Sequence, residues 1–184
     1  RGVNMDVYPG ETVAIVGESG SGKSVSVKTI MGITAPNAVI ESGTIKFRFK
    51  ENGKEQVVDL LKLSKKEMQH RIKGKRIAMV FQDPMTSLNP TIKIGKQIAE
   101  TVVIHNKSYT KEQVHERVLE LMELVGISHP KERYHQYPWQ FSGGMRQRCV
   151  MAIALAADPD ILFADEPTTA LDVTIQAQIL DLLR

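Results

Sequence analysis

The chain has 184 residues, enough for one domain of ordinary size with or without an inserted subdomain. Its 24 basic and 21 acidic side chains leave a net charge of +3, so charge alone gives no reason to expect a nucleic-acid partner. No apolar run approaches the roughly 18 residues of a membrane span, and the single cysteine, Cys149, excludes an internal disulfide and a cysteine-built zinc site.

The chain begins at Arg1 without an initiator methionine and stops at Arg184 inside an apolar-periodic stretch. We therefore expect a single domain over residues 1–184 that is truncated at both ends. Cys149 lies in a helical pattern, and we expect it to be a small core residue.

The N-terminal part alternates between strand and helix patterns. A β-branched run at residues 12–16 predicts a strand that leads into a glycine-rich loop, and residues 23–32 are helical in pattern. The stretches 44–49 and 56–60 flank an Asn52-Gly53 pair, which predicts an antiparallel hairpin.

The rest of the chain continues the alternation. The pattern predicts a buried strand at 77–81 and an apolar strand at 161–164. Between them it predicts two amphipathic helices, at 94–104 and 111–125, and a further helix at 145–156. Strands that alternate with helices in this order are typical of an α/β fold with a mainly parallel sheet.

The glycine-rich loop matches the eight-residue P-loop pattern and lies between a predicted strand and a predicted helix. Its backbone N–H groups and the helix N-terminus favour bound phosphate, Lys23 adds a full positive charge, and the Ser24 hydroxyl is a Mg²⁺ ligand. The predicted phosphate-binding residues are Gly17, Glu18, Ser19, Gly20, Ser21, Gly22, Lys23 and Ser24.

Two adjacent carboxylates, Asp165 and Glu166, end the apolar strand at 161–164, and the segment resembles a Walker B motif. Neighbouring side chains on a strand alternate in direction, so the two carboxylates can take different roles. We assign Asp165 to the Mg²⁺ shell and Glu166 to the general base that activates water.

The segment 141–148, Phe-Ser-Gly-Gly-Met-Arg-Gln-Arg, resembles the signature motif of ABC ATPases. Ser142 can cap a helix whose first N–H groups, flanked by Gly143 and Gly144, form an anion site. In that family this site binds the γ-phosphate of ATP held by the other subunit. The resemblance implies a P-loop NTPase core, an N-terminal antiparallel β subdomain and a helical subdomain inserted at residues 83–140.

The sequence departs from the commonest signature wording at Phe141 and Met145, where leucine and glutamine are usual. Gln82 resembles the family's Q-loop glutamine, which touches Mg²⁺ or the lytic water and which we count with Lys23 and Glu166 as catalytic. Asp172 resembles the aspartate of the D-loop, which crosses the dimer interface near the nucleotide.

Within the family, segments 81–90 and 165–174 look most like the ATPase subunits of bacterial oligopeptide and dipeptide importers, with nickel or glutathione importers as alternatives. The resemblance implies ATP and Mg²⁺ as ligands and a second ATPase subunit, of the same or a related chain, as partner. It further implies integral membrane permease subunits, a substrate-binding protein reached through the complex, no nucleic acid, and a peripheral place on the cytoplasmic face of the membrane.

Two other functions compete with transport. An ABC-type ATPase acting on nucleic acid or ribosomes is disfavoured, because residues 83–140 offer a compact insert without sustained heptads. A regulatory module without turnover is disfavoured by Glu166. The family's switch histidine and adenine-stacking aromatic residue fall outside residues 1–184, so we expect this piece alone to bind nucleotide weakly and to hydrolyse it poorly.

Overall fold

The computed structural model describes residues 2–81 and 87–165. In chain order the elements are helix α1 (Lys23–Ile30), strands β1 (Lys46–Glu51) and β2 (Lys54–Asp59), helix α2 (Lys65–Glu67), strand β3 (Ile77–Val80), helices α3 (Ile94–His105), α4 (Lys111–Leu124), α5 (Pro130–Arg133) and α6 (Gly143–Leu155), and strand β4 (Ile161–Ala164). Turns of 3-10 helix occupy Leu60–Lys62 and Pro138–Gln140, and a π-helix, Met68–Ile72, continues α2.

Strands β1 and β2 form the predicted antiparallel hairpin. Glu51 pairs with Lys54 across a two-residue turn, in which Asn52 and Gly53 have φ values of 51° and 75°. Positive φ at both positions is what a tight hairpin of this twist requires, so the Asn-Gly pair set the register. The prediction of an antiparallel β unit in the N-terminal half is confirmed.

Strands β3 and β4 form a parallel pair, with Ile77 opposite Ile161. All four residues of β3 are buried, and their side chains alternate between two apolar cores. Ala78 and Val80 belong to a core shared with the long helices, whereas Ile77 and Met79 belong to a core shared with the hairpin. The parallel pair therefore separates the two cores, which is why the sequence of β3 is apolar without alternation.

Helices α3, α4 and α6 pack around one apolar core. Thr110 begins α4 with a capping box, in which its hydroxyl accepts from the Gln113 N–H and the Gln113 side chain accepts from the Thr110 N–H. These helices confirm the helices predicted at 94–104, 111–125 and 145–156 within one or two residues. The bounds of the predicted insert, 83–140, stay a prediction, and residues 83–86 lie outside the described part of the chain.

The strand predicted at residues 12–16 is not found in the structure. These residues are exposed and have no place in either sheet, and the apolar side chain of Val16 is 91% exposed. A strand exists through its ladder of hydrogen bonds, and within the described ranges neither β-sheet pairs with this run. The run therefore has strand composition without strand pairing among the described residues.

The basic run at residues 62–76 contributes to packing as well as to the surface. Arg76 Nη2 donates to the carbonyl oxygen of Lys50 at 2.8 Å, and Nη1 donates to Asp160 Oδ2 at 3.2 Å. Its guanidinium also lies over the Phe49 ring, 4.9 Å from the centroid. Arg76 thereby joins the hairpin to the start of β4, a role that a solvated basic face does not have.

Candidate functional site

The glycine-rich loop ends in an uncapped helix. Gly22 is the N-cap residue of α1, with φ of 95°, and Gly20 has φ of 81°. Only glycine adopts these left-handed conformations at low cost, which explains the spacing of the pattern. Among the described residues no side chain caps the N-terminus of α1, so its first N–H groups have no capping oxygen from the loop. The start of α1 therefore has the features of an anion-binding site.

Lys23 lies against the same loop. Its ammonium nitrogen donates to the carbonyl oxygens of Gly17, at 2.7 Å, and of Glu18, at 2.8 Å. Both acceptors are backbone groups, so no carboxylate neutralises the charge through these two bonds. The loop thus holds one full positive charge beside the N-terminus of α1, and both features favour a bound anion.

The Ser24 hydroxyl donates a hydrogen bond of 2.7 Å to Oδ1 of Asp165, which joins the two halves of the predicted site. Asp165 follows β4, and its backbone N–H donates to the carbonyl oxygen of Val80 at 3.0 Å. Because β3 and β4 are parallel, their carboxyl ends share one edge of the sheet, where α/β proteins bind ligands. The structure therefore brings together Ser24 and Asp165, the two groups assigned from the sequence to Mg²⁺, and the cation site itself stays a prediction.

The signature segment forms the start of α6. Ser142 is its N-cap, and its hydroxyl oxygen accepts from the backbone N–H of Met145 at 3.3 Å, as predicted. Ser142 and Gly143 are exposed, and a Cβ added to Gly143 would meet no atom of the described residues within 4 Å. Gly143 has no positive φ, so neither conformation nor crowding within the described chain demands a glycine there. The open space at this helix end is available to a molecule from outside.

Phe141 fixes the signature segment to the apolar core. Its ring is buried, with 3% exposure, and its carbonyl oxygen accepts from Arg146 Nε at 3.1 Å. Sequence reasoning missed Arg146 as a support for the cap. A basic residue in the first turn of a helix opposes the helix dipole, and that anomaly was the signal that could have identified it.

Cys149 lies in α6 and is fully buried. Burial raises the pKa of its thiol to about 12, so the group is a neutral core residue at physiological pH, as expected. It takes no part in the site.

Three predicted site residues, Gln82, Glu166 and Asp172, lie outside the described residues. Their roles as water-positioning group, general base and interface aspartate stay predictions. Across the described ranges, the helices are all too short or too polar to cross a membrane.

An α/β fold in which a glycine-rich loop meets an aspartate at the end of a parallel strand defines a P-loop protein. Residues 1–169 match the family described as ABC transporter, and the chain belongs to this family. The resemblance inferred from the signature segment and the predicted fold class are thereby confirmed.

The chain is similar to peptide transport proteins of bacteria. It is 56% identical to the dipeptide transport ATP-binding protein DppD of Lactococcus lactis subsp. cremoris, covering 100% of this chain and 50% of that protein. It is 57% identical to the oligopeptide transport ATP-binding protein OppD of Bacillus subtilis, covering 100% of this chain and 49% of that protein. The chain thus spans about half the length of the curated relatives it matches.

Among solved structures, the chain is similar to the dimeric post-hydrolysis state of the ATP-binding cassette MJ0796 bound to ADP and Pi. The TM-score is 0.78 at 28% identity, and the match covers 98% of this chain and 71% of that one.

Proposed function

We propose that this chain is the nucleotide-binding part of an ABC transporter subunit that binds and hydrolyses MgATP to drive the import of oligopeptides or dipeptides. The observation that carries the proposal is the hydrogen bond between Ser24 and Asp165, because it joins the phosphate loop to the carboxylate strand. The peptide cargo is supported by the names of the relatives DppD and OppD.

The residues present fit a magnesium nucleotide. Ser24 and Asp165 offer a hydroxyl and a carboxylate oxygen 2.7 Å apart, and Mg²⁺ prefers oxygen ligands from one or two protein groups plus substrate phosphates. Mg²⁺, when bound with ATP, neutralises charge on the phosphate oxygens. We assign Ser24, Asp165 and Gln82 to the metal shell.

The loop from Gly17 to Ser24 binds the phosphates through backbone N–H groups and the N-terminus of α1. The Lys23 ammonium exchanges its carbonyl partners for phosphate oxygens and stabilises the charge that spreads over the γ-phosphoryl group during transfer. Glu166 accepts the proton of the attacking water, which Gln82 orients. Lys23, Glu166 and Gln82 are thus the proposed catalytic residues.

The exposed start of α6 suits a second subunit. Ser142, Gly143 and Gly144 are proposed to bind the γ-phosphate held by the partner ATPase, with Asp172 beside the same interface. The open space around Gly143 supports this role, as does the dimeric state of the MJ0796 cassette. The partner is the same or a related chain, and closure of the two traps nucleotide between them.

The remaining partners follow from transport. Integral permease subunits hold the ATPase at the cytoplasmic face of the membrane, and a substrate-binding protein delivers the cargo through the complex. Nucleic acid is not among the proposed partners.

The test is ATP hydrolysis by the full-length protein, alone and together with its permease subunits. Wild type is compared with Glu166→Gln and with the matched control Glu116→Gln, which removes an exposed charge from α4. We expect activity that rises with the permease, disappears in Glu166→Gln and persists in Glu116→Gln. Activity indifferent to both the permease and Glu166, or stimulated by DNA or ribosomes, would overturn the proposal.

A further inference from the structure

Arg133, at the end of α5, contacts two residues of the signature segment. Its Nη1 donates to the Met145 thioether sulfur at 3.5 Å, and its guanidinium carbon lies 5.6 Å from the centroid of the Phe141 ring. Its Nε is anchored elsewhere, donating to the carbonyl oxygen of Ser128 at 2.7 Å. The side chain thereby ties the turn before α5 to the start of α6.

These two contacts fall on either side of Ser142. Phe141 precedes the serine and is buried, and Met145 supplies the N–H that the Ser142 hydroxyl accepts. Displacing either residue changes where the serine hydroxyl and the first N–H groups of α6 lie. A contact with both fixes the cap in one orientation.

Phe141 and Met145 are also the two positions at which this sequence departs from the commonest signature wording. Leucine offers no aromatic face to a guanidinium, and glutamine would present an amide oxygen in place of the thioether sulfur, so with the usual residues the ring contact is absent and the hydrogen bond has a different acceptor. Both departures therefore meet the same arginine, which indicates that the three side chains work as a unit.

We infer that Arg133 is a positioning residue for Ser142, holding the start of α6 ready for the phosphate through Phe141 and Met145. This inference rests on the proposed function, in which Ser142 binds the γ-phosphate of the partner's ATP. In this inference Arg133 acts through these two side chains and not by contact with the nucleotide.

The first measurement is amide hydrogen exchange in the full-length protein, for wild type, Arg133→Ala and Lys131→Ala. Lys131 lies on the same short helix and is exposed, so its variant removes the same charge without these contacts. In Arg133→Ala we expect exchange at Met145 and Arg146 to rise about 5–30-fold, the range for loss of one or two ordinary interactions. Exchange at Val118, in α4, should stay at the wild-type rate. Unchanged exchange at Met145, or an equal rise at Val118, would overturn the inference, because the effect would then be absent or global.

The second measurement repeats Arg133→Ala in a Phe141→Leu, Met145→Leu background, because leucine offers a guanidinium neither an aromatic face nor an acceptor atom. If Arg133 acts through these two side chains, Arg133→Ala should raise exchange at residues 145 and 146 in this background no more than Lys131→Ala does. If Arg133→Ala still raised the exchange about 5–30-fold in this background, the inference would be contradicted.

Hydrolysis separates this inference from the proposed function. With the permease present, Arg133→Ala should lower kcat/KM about 5–30-fold relative to Lys131→Ala, in proportion to the lost order of the cap. Wild type without any ATP hydrolysis would overturn the proposed function, whereas the exchange data would still decide whether Arg133 orders the start of α6.

Discussion

The hydroxyl of Ser24 donates to the carboxylate of Asp165 across 141 residues of sequence. Ser24 ends the phosphate loop and Asp165 follows strand β4, so this bond links a helix N-terminus to a sheet edge. Both oxygens are suited to a hard cation. The site is therefore partly organised by the chain itself, and binding a cation there replaces a hydrogen bond that already exists.

Ser24→Ala is expected to remove the Mg²⁺-dependent part of nucleotide affinity. The variant loses the hydroxyl ligand while the loop and Lys23 remain, so ATP affinity with Mg²⁺ should fall about 10-fold or more, equivalent to about 1.4 kcal/mol. Titration of the full-length protein with ATP, with and without Mg²⁺, measures this.

The control for that titration is Ser26→Ala on the same helix. The Ser26 hydroxyl donates to the Gly22 carbonyl oxygen at 3.0 Å within the helix. Equal losses in the two variants would contradict a specific role for Ser24.

Gly95→Ala is expected to destabilise the protein, although alanine favours helices by about 1 kcal/mol over glycine. A Cβ at Gly95 would overlap the Cγ and Cδ2 atoms of the Tyr134 ring. The ring is rigid and the site is buried, so overpacking should cost about 1–3 kcal/mol net. Urea unfolding measures the change, with Lys96→Ala, at an exposed position of α3, as control. A gain in stability for Gly95→Ala would show that α3 and Tyr134 separate at little cost.

Gly143→Ala is expected to separate stability from activity. The added Cβ meets no atom within 4 Å in the part of the chain that the structure describes, so the free energy of unfolding should stay unchanged or rise by up to about 1 kcal/mol. ATP hydrolysis with the permease should fall, because the methyl group fills the space at the end of α6 proposed for the partner's phosphate. Unfolding and hydrolysis are measured on the same preparation. Full activity in a stable Gly143→Ala protein would argue against this helix end as a phosphate site.

Cys149 is expected to make stability fall in the alkaline range. Its pKa is raised from 9.0 in the unfolded chain to about 12 by burial, so the unfolded state loses its thiol proton first. Its contribution is complete below about pH 9 and declines as pH rises toward 12, by up to about 1.4 kcal/mol per pH unit. The slope of unfolding free energy against pH, compared with that of Cys149→Ala, measures it. Identical slopes for the wild type and Cys149→Ala would mean that the thiol ionises in the folded protein as readily as in the unfolded chain.

Local chemistry let the sequence predict most of the described fold. Asn52-Gly53 specifies a hairpin turn, and Ser142 followed by Gly143 specifies a helix start, because both signals act over a few neighbouring residues. The helix at Lys65–Glu67 was missed although Ser64 and Glu67 form a capping box, a signal that the density of lysines obscured.

What sequence reasoning could not supply depends on distant partners. The run at 12–16 has strand composition, but pairing depends on which backbone lies beside it. Arg133 is one basic residue among many until its contacts with Phe141 and Met145 are seen. The closeness of Ser24 and Asp165 is an exception among these long-range contacts. Both residues were assigned to one Mg²⁺ from their motifs, and two ligands of one cation must lie close together.

The parallel pairing of β3 with β4 also sets an order of events during synthesis. Arg76, next to β3, and Asp160, next to β4, are 84 residues apart. A ribosome adding about 5–20 residues per second makes β4 roughly 4–17 s after β3. During that interval the buried strand β3 has no sheet partner from β4, and its apolar side chains depend on the hairpin and the intervening helices for cover. An unpaired apolar strand is prone to aggregation, so chaperone binding at β3 should fall once residue 161 has emerged.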